Sequence, residues 1–211
     1  MARAFTEQER EQIHDRLLEV GSDLFARYGL KKTSIGDLTE PLGIAKSSFY
    51  RFYDSKEALY VELLVRRIPE MRNQLMATSF EATGDVRDAI VRYLHASVEL
   101  IERDKLARIL LADPQSVVQL LTLLDTRLVQ VRASFLEPLY RVFRQAQSDG
   151  EMIAGDPRVL VEAMELMAVL PLYKQGIDPA IYPALLDTFA QVIADGLTCP
   201  ARRRKKGVRD A

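Results

Sequence analysis

Apolar residues return every three or four positions along most of this 211-residue chain, and no stretch alternates apolar and polar residues long enough to make a strand. The pattern predicts an all-α fold. Thr6 followed by Glu9 has capping-box spacing, and Ile13, Leu17, Val20, Leu24, Phe25 and Tyr28 form the stripe of a first long helix. Gly29 ends that helix, with Leu30 as its trailing apolar contact. Ser34 and Asp37 open a second, short helix carrying Ile35, Leu38 and Leu42 on one face. Gly43 stops it, and Ile44 leads into a third helix, Ala45 to Phe52, which turns Phe49 and Phe52 inward. Ser55 starts a fourth, running through Leu59, Tyr60, Leu63 and Leu64 to about Arg67, with a kink or break expected at Pro69. Beyond it, Gly84-Asp85 opens a helix over about 86–103. Asp113-Pro114, Asp156-Pro157 and Asp178-Pro179 each set an N-cap acid before a proline suited to the first helical position. Gly150 ends the long helix that begins near Gln115, and Pro138 can bend it.

Two short helices around a glycine turn form the helix-turn-helix plan, whose second helix offers its N-terminal residues to the major groove of DNA. The outward residues suit that task. Lys46 and Arg51 can neutralise phosphates or donate to guanine, Ser47 and Ser48 offer hydroxyls to a base edge or phosphate, and Tyr50 pairs a flat ring with one O–H. Lys31 and Lys32, in the preceding connection, fit a DNA backbone or a solvated loop equally well. An ordinary amphipathic helical hairpin would show the same generic pattern.

The particular residues narrow the choice. IAKSSFYRFYDSKEAL, residues 44–59, resembles the end of the DNA-binding domain of the tetracycline-repressor (TetR) family, through Gly43, Ile44, Lys46, Phe49, Tyr50, Tyr53, Ser55, Lys56, Glu57 and Leu59. Upstream, FARYGLKKTSI is similar to that family's Phe-x-x-x-Gly-to-Thr junction, through Phe25, Gly29 and Thr33. The resemblance covers roughly residues 10–60. It implies DNA contacts among Thr33, Ser34, Lys46, Ser47, Ser48, Tyr50, Arg51, Tyr53 and Lys56. Two departures stand out. Pro41 occupies a place where the family prefers a helix former, so the last turn of the second helix should fray or kink. Asp54 replaces a frequent proline and can pair with Glu57 as a cap.

The later helices are apolar beyond one stripe. Val117, Leu120, Leu121, Leu123, Leu124, Leu128 and Val131 wrap around one. Val159, Leu160, Met164, Met167, Leu170 and Tyr173 do so in the next, and Ile181, Leu185, Phe189, Val192 and Ile193 mark the last. Such helices need burial on several sides, against a thick core, a second subunit or a ligand. The family's architecture favours a dimer seam on the last two helices, with Leu185, Phe189 and Val192 as its candidates. Tyr93, Met164, Met167 and Tyr173 are the candidates for a mostly apolar effector site, each equally readable as core.

Composition bounds the rest. Apolar residues are 48% and charged residues 28%, the globular class. There is no apolar run of about 18 residues and no signal-peptide core in MARAFTEQEREQ, so the chain reads as cytoplasmic, without a membrane partner. The single cysteine, Cys199, excludes an internal disulfide and a cysteine-based zinc site. The two histidines have no metal spacing. His14 borders an apolar stripe, and His95 shares a charged face with Asp88, Arg92, Glu99 and Glu102. No phosphate loop or nucleophile elbow is present, so neither a cofactor nor catalysis is expected. Net charge is −1, but residues 200–211 hold six cations against one carboxylate, leaving −6 on the rest.

The expected organisation is a helix-turn-helix head, residues 1–56 with recognition region 34–53. A helical effector-binding and dimerisation body follows at 57–199, then a basic disordered tail at 200–211. The expected function is a ligand-responsive regulator, a homodimeric repressor on a near-palindromic DNA operator with an unidentified small effector. The alternatives are a helical protein–protein adaptor that keeps the motif as scaffold, or an α-helical enzyme.

Overall fold

The computed structural model describes residues 5–106 and 125–198, and these are helical, with no strand among the described residues. The Asp113-Pro114 start, the apolar run from Val117 to Leu124, the side chains of Leu128 and Val131, Cys199 and the basic tail lie outside them. Helix α1 (Glu7–Lys32) is followed by α2 (Ile35–Thr39), α3 (Lys46–Phe49), α4 (Lys56–Thr78), α5 (Val86–Arg103), α6 (Asp125–Ser148), α7 (Pro157–Glu165) and α8 (Tyr182–Leu197). A 3₁₀ turn at Glu40–Leu42 extends α2, and a 3₁₀ segment at Leu166–Gly176 extends α7.

The starts follow their caps. Thr6 and Glu9 form the expected capping box, Asp85 caps α5, and Asp156 caps α7 with Pro157 in the first turn. Helix α4 is capped by Ser55, whose hydroxyl accepts from Ala58 N at 3.2 Å, and not by Asp54. Asp178-Pro179 does not begin the last helix. The Asp178 carboxylate accepts from Ala180 N at 2.8 Å in a turn, and α8 starts at Tyr182. The kink or break expected at Pro69 does not end α4, which runs through this exposed proline to Thr78. Pro171 has a stronger effect. Its missing N–H would have bonded Met167, and around it the chain tightens into 3₁₀ form. Helix α1 is interrupted at Gly29 (φ 79°) but resumes for one turn to Lys32, and Tyr28 leaves the apolar stripe for solvent.

Two buried clusters result. The first joins Leu17, Phe25, Leu38, Phe49, Leu59, Tyr60 and Leu63, with Phe25 edge-on to Tyr60 at 5.7 Å. Gly21 permits it: a methyl group there would meet Leu59 Cδ2 at 2.9 Å, so the close crossing of α1 and α4 outweighs the ~1 kcal/mol that glycine costs a helix. The second gathers Leu75 of α4 with Ile90, Tyr93 and Val98 of α5, Leu136 and Phe143 of α6, Met164 of α7 and Ala190 of α8. Ile153 N donates to Leu197 O at 3.0 Å, tying the loop after α6 to the end of α8.

The clusters are not separate in sequence. Leu106, which follows α5, is 1% exposed and belongs to the first cluster, far from its sequence neighbours in the second. The buried Tyr60 hydroxyl donates to Leu106 O at 2.5 Å, and Asp104 accepts from Leu106 N at 2.9 Å while pairing with Arg67 at 2.6 Å. Burial, helped by the charge of Asp104, pushes the Tyr60 hydroxyl well above its ordinary pKa, so it remains a donor. Leu106→Ala is expected to lower stability by about 2–5 kcal/mol in denaturant unfolding, the range for a buried leucine truncated to a cavity. A loss under ~0.5 kcal/mol would mean that Leu106 does not occupy that core.

Candidate nucleic-acid interface

The helix-turn-helix is built by local hydrogen bonds. Ser34 N donates to Asp37 Oδ2 at 2.8 Å and Asp37 N to Ser34 Oγ at 3.2 Å, a reciprocal cap on α2. The Ser34 backbone bond, then its hydroxyl bond, hold the exposed Asp37 carboxyl below its usual range, against a small opposing effect of burial. Pro41 has no N–H for an α-helical bond, so α2 stops at Thr39 and tightens, as its position foretold. Gly43 then takes φ 65°, ψ 25°. Gly43 N reaches Glu40 O at 3.0 Å and Ile44 N reaches Thr39 O at 3.3 Å, the pairing of a Schellman end. The chain emerges turned, and α3 begins one residue after Ala45.

Helix α3 is shorter than the expected span from Ala45 to Phe52. It covers Lys46–Phe49, and single turns carry the chain on: Arg51 N to Ser48 O at 3.1 Å, and Phe52 N and Tyr53 N to Phe49 O at 2.9 and 3.1 Å. Phe49 is fully buried and Phe52 half-buried. Lys46, Ser47, Tyr50 and Arg51 are exposed, Ser48 is half-exposed, and Ser34 stands exposed at the start of α2. Lys46 lies over that start, and a methyl group on Gly36 would come within 2.8 Å of its Cε.

Three of the nine candidates face inward. Tyr53 is 7% exposed. Its hydroxyl donates to Glu62 Oε2 at 3.0 Å and lies 2.9 Å from His14 Nε2, and its ring stacks on His14. Thr33 is buried, with its hydroxyl donating to Gly29 O at 2.8 Å across the interruption of α1. Lys56 donates to Leu30 O at 2.7 Å and Thr33 O at 2.8 Å, with Lys31 O at 3.4 Å. Its charge thus satisfies the carbonyls that end α1. These side chains fix the motif against α1 and α4. The partners of Tyr53 and Lys56 lie 9 to 39 residues away, beyond the reach of local pattern, whereas Thr33 bonds only four residues back. Sequence reasoning also missed Phe5, although an apolar residue just before a capping box is a known staple position.

Among the body candidates, Tyr93, Met164 and Met167 are buried in the second cluster, and the Tyr93 hydroxyl donates to Glu165 Oε1 at 2.7 Å. Tyr173 lies apart from them, 65% exposed on the 3₁₀ segment. Phe189 and Val192 are 40% and 61% exposed on α8, and Leu185 is half-buried. A cleft of about 330 Å³ lies between α4 and α5, with Leu75, Ala96 and Leu100 as floor and Arg67, Glu99 and Arg103 on its rim. None of the four effector candidates lines it.

Residues 17–63, which hold the whole motif, match the family model described as bacterial regulatory proteins, tetR family. These residues are a DNA-binding domain of the TetR family. It is 28% identical to the uncharacterized HTH-type transcriptional regulator YezE of Bacillus subtilis (strain 168), over 61% of this chain and 69% of that protein. It is 40% identical to the HTH-type transcriptional repressor KstR2 of Rhodococcus jostii (strain RHA1), over 42% of this chain and 52% of the repressor. The chain thus spans about half the length of that repressor. The crystal structure of a TetR-family transcriptional regulator from Pectobacterium atrosepticum superposes with a TM-score of 0.73, at 20% identity, over 93% of this chain and 99% of that one, a likeness of fold. This chain is therefore a DNA-binding transcriptional regulator. Among the described residues, no helix is long and apolar enough to cross a membrane.

In the regulator, Glu62 joins the motif to α4, accepting from Tyr53 and from Arg66 at 3.0 Å. Burial alone would raise its pKa. The Tyr53 bond, the charge of His14, and the bond and charge of Arg66 outweigh burial and hold the carboxyl below its ordinary 4.5. A carboxyl with a depressed folded value contributes stability above its unfolded pKa and loses it as pH falls through the folded value. Melting temperature followed from about pH 6 to pH 3 should therefore fall more steeply for the wild type than for Glu62→Gln, and the two curves should converge in acid. Parallel curves would show that Glu62 contributes no pH-dependent stability.

Proposed function

We propose that the regulator is a repressor that binds a near-palindromic operator as a homodimer and is released by a small, mostly apolar effector. Lys46, Ser47, Ser48, Tyr50 and Arg51 form its DNA-facing surface, flanked by Ser34. The observation that carries this reading is the division of polar side chains around α3. Thr33, Tyr53 and Lys56 are satisfied by the protein, while Lys46, Ser47, Tyr50 and Arg51 stay exposed beside a rigid turn. Residues 1–56 act as head in this reading, residues 57–199 as body, and no catalytic step is assigned to either. Two heads in a symmetric pair would meet successive major grooves ~34–36 Å apart.

For a duplex selected from a random pool, Lys46→Ala should weaken binding. A lysine on a phosphate lowers affinity evenly across sequences and reduces the salt slope by about 1, whereas one on a base relaxes preference at a single position. Unchanged affinity and slope would remove Lys46 from the interface.

The homodimer is supported by the large apolar side chains that a single chain leaves in water: Phe189, Val192 and Ile181 near or on α8, and Leu166, Val169 and Tyr173 on the 3₁₀ segment. The 3₁₀ segment touches α8, and apolar side chains exposed on two adjoining elements suit an association surface. Phe189→Asp would bury an unpaired charge there. Light scattering should give the mass of one chain while the helical circular dichroism is kept. A folded dimer would place the contact elsewhere.

The effector would act on α4, which contributes to both clusters. A ligand that prefers one disposition of α4 shifts the population of head arrangements by its difference in affinity between them.

A further inference from the structure

Phe5 stands just before the N-cap of α1, outside the helix-turn-helix, and it packs on the residues that follow α3. Its ring lies 6.3 Å from the Phe52 ring at 39°, and the Arg51 guanidinium carbon lies 4.9 Å from the Phe5 centroid. An apolar residue in this position ordinarily staples onto the fourth residue of its own helix, which here is Arg10. Here the ring reaches across to the recognition segment. The Thr6–Glu9 capping box fixes where α1 begins, with Thr6 N donating to Glu9 Oε2 at 2.8 Å, and so fixes where Phe5 leaves it. Phe52, half-buried against the first cluster, fixes the other side. Arg51 is exposed and long, and a side chain of that kind ordinarily samples many rotamers. An aromatic face within about 6 Å attracts the guanidinium and narrows the sampling. Arg51 shares an open cleft with Glu7, Arg10, Glu11 and Asp15 of α1, so the guanidinium lies beside more acids than cations.

We propose that Phe5 is a positioning residue for DNA recognition, its ring holding the Arg51 guanidinium ready for the contact Arg51 makes. The inference rests on the reading that Arg51 faces DNA. Under it, the segment before α1 tunes operator affinity without touching the operator, and aromatic character at position 5 matters more than bulk.

The test is a double-mutant cycle on the full chain with a duplex selected from a random pool, read as dissociation constants over a series of salt concentrations, with melting temperatures alongside. Phe5→Ala and Phe5→Leu should each weaken binding about 2- to 5-fold, the range for an exposed cation–π contact, and Phe5→Trp should keep wild-type affinity. In the Arg51→Ala background, Phe5→Ala should have no further effect. Three results would overturn the proposal: a Phe5→Ala loss that persists in that background, wild-type affinity for Phe5→Leu, or tighter binding by Phe5→Ala, which would mean the ring withholds Arg51. If Arg51→Ala itself leaves binding unchanged, the proposal also falls, and Lys46→Ala then decides whether the DNA-facing reading survives without Arg51.

Discussion

One helix belongs to both hydrophobic clusters, and the rest of the molecule is arranged around that constraint. Helix α4 buries Leu59, Tyr60 and Leu63 against α1, then buries Leu75 among α5, α6 and α7. Continuity alone would make it a rod free to swing about its middle, where Pro69 removes a hydrogen bond. Leu106 limits that swing. The chain returning from α5 drives this side chain into the first cluster, and Tyr60 with the Arg67–Asp104 pair holds the backbone around it. The Asp104 side chain is nearly inaccessible, and Arg67 and Leu106 N both bind its carboxylate, so the pair holds the chain after α5 against α4. Among the described residues, the two clusters are thus linked through α4 and through Leu106. A rearrangement of one relative to the other must bend α4 or reorganise residues 104–106.

Much of this was legible in the sequence because it is local. Capping boxes, the Gly43 stop, the Asp85 and Asp156 starts and the Pro41 effect each depend on residues within one turn, and each stands where the spacing put it. The misjudged elements share a different cause. Asp178-Pro179 has the composition of a helix start but forms a turn, and the 3₁₀ segment after α7 reads as a continuing helix because its apolar spacing suits either winding. Spacing records which residues want burial. It does not record how tightly the backbone winds to bury them.

The candidate interface was legible in outline and not in detail, for a related reason. A tyrosine, a lysine or a threonine beside a recognition helix has the right chemistry for DNA and also for securing the fold. Tyr53 meets His14 and Glu62, and Lys56 meets the carbonyls at the end of α1, through contacts that only the folded chain brings together. The inward assignments have an energetic logic. Helix α3 is a single turn, too short to be stable alone, and its position must come from neighbours. Polar side chains that resemble DNA contacts supply that position.

This division of labour also shapes the electrostatics. With Lys56 bonded to carbonyls, positive charge near the motif rests on fewer side chains, chiefly Lys46 and Arg51, with Lys31 and Lys32 at the junction before α2. The chain outside its last twelve residues carries a net −6, so within that part the favourable potential is confined to a small area. Few cations mean few released counterions, so a large share of any strong affinity must come from well-placed short-range contacts. Under that constraint, the order imposed on each exposed cation matters more than its charge. Phe5 beside Arg51, and the start of α2 beneath Lys46, are the places where the fold imposes it.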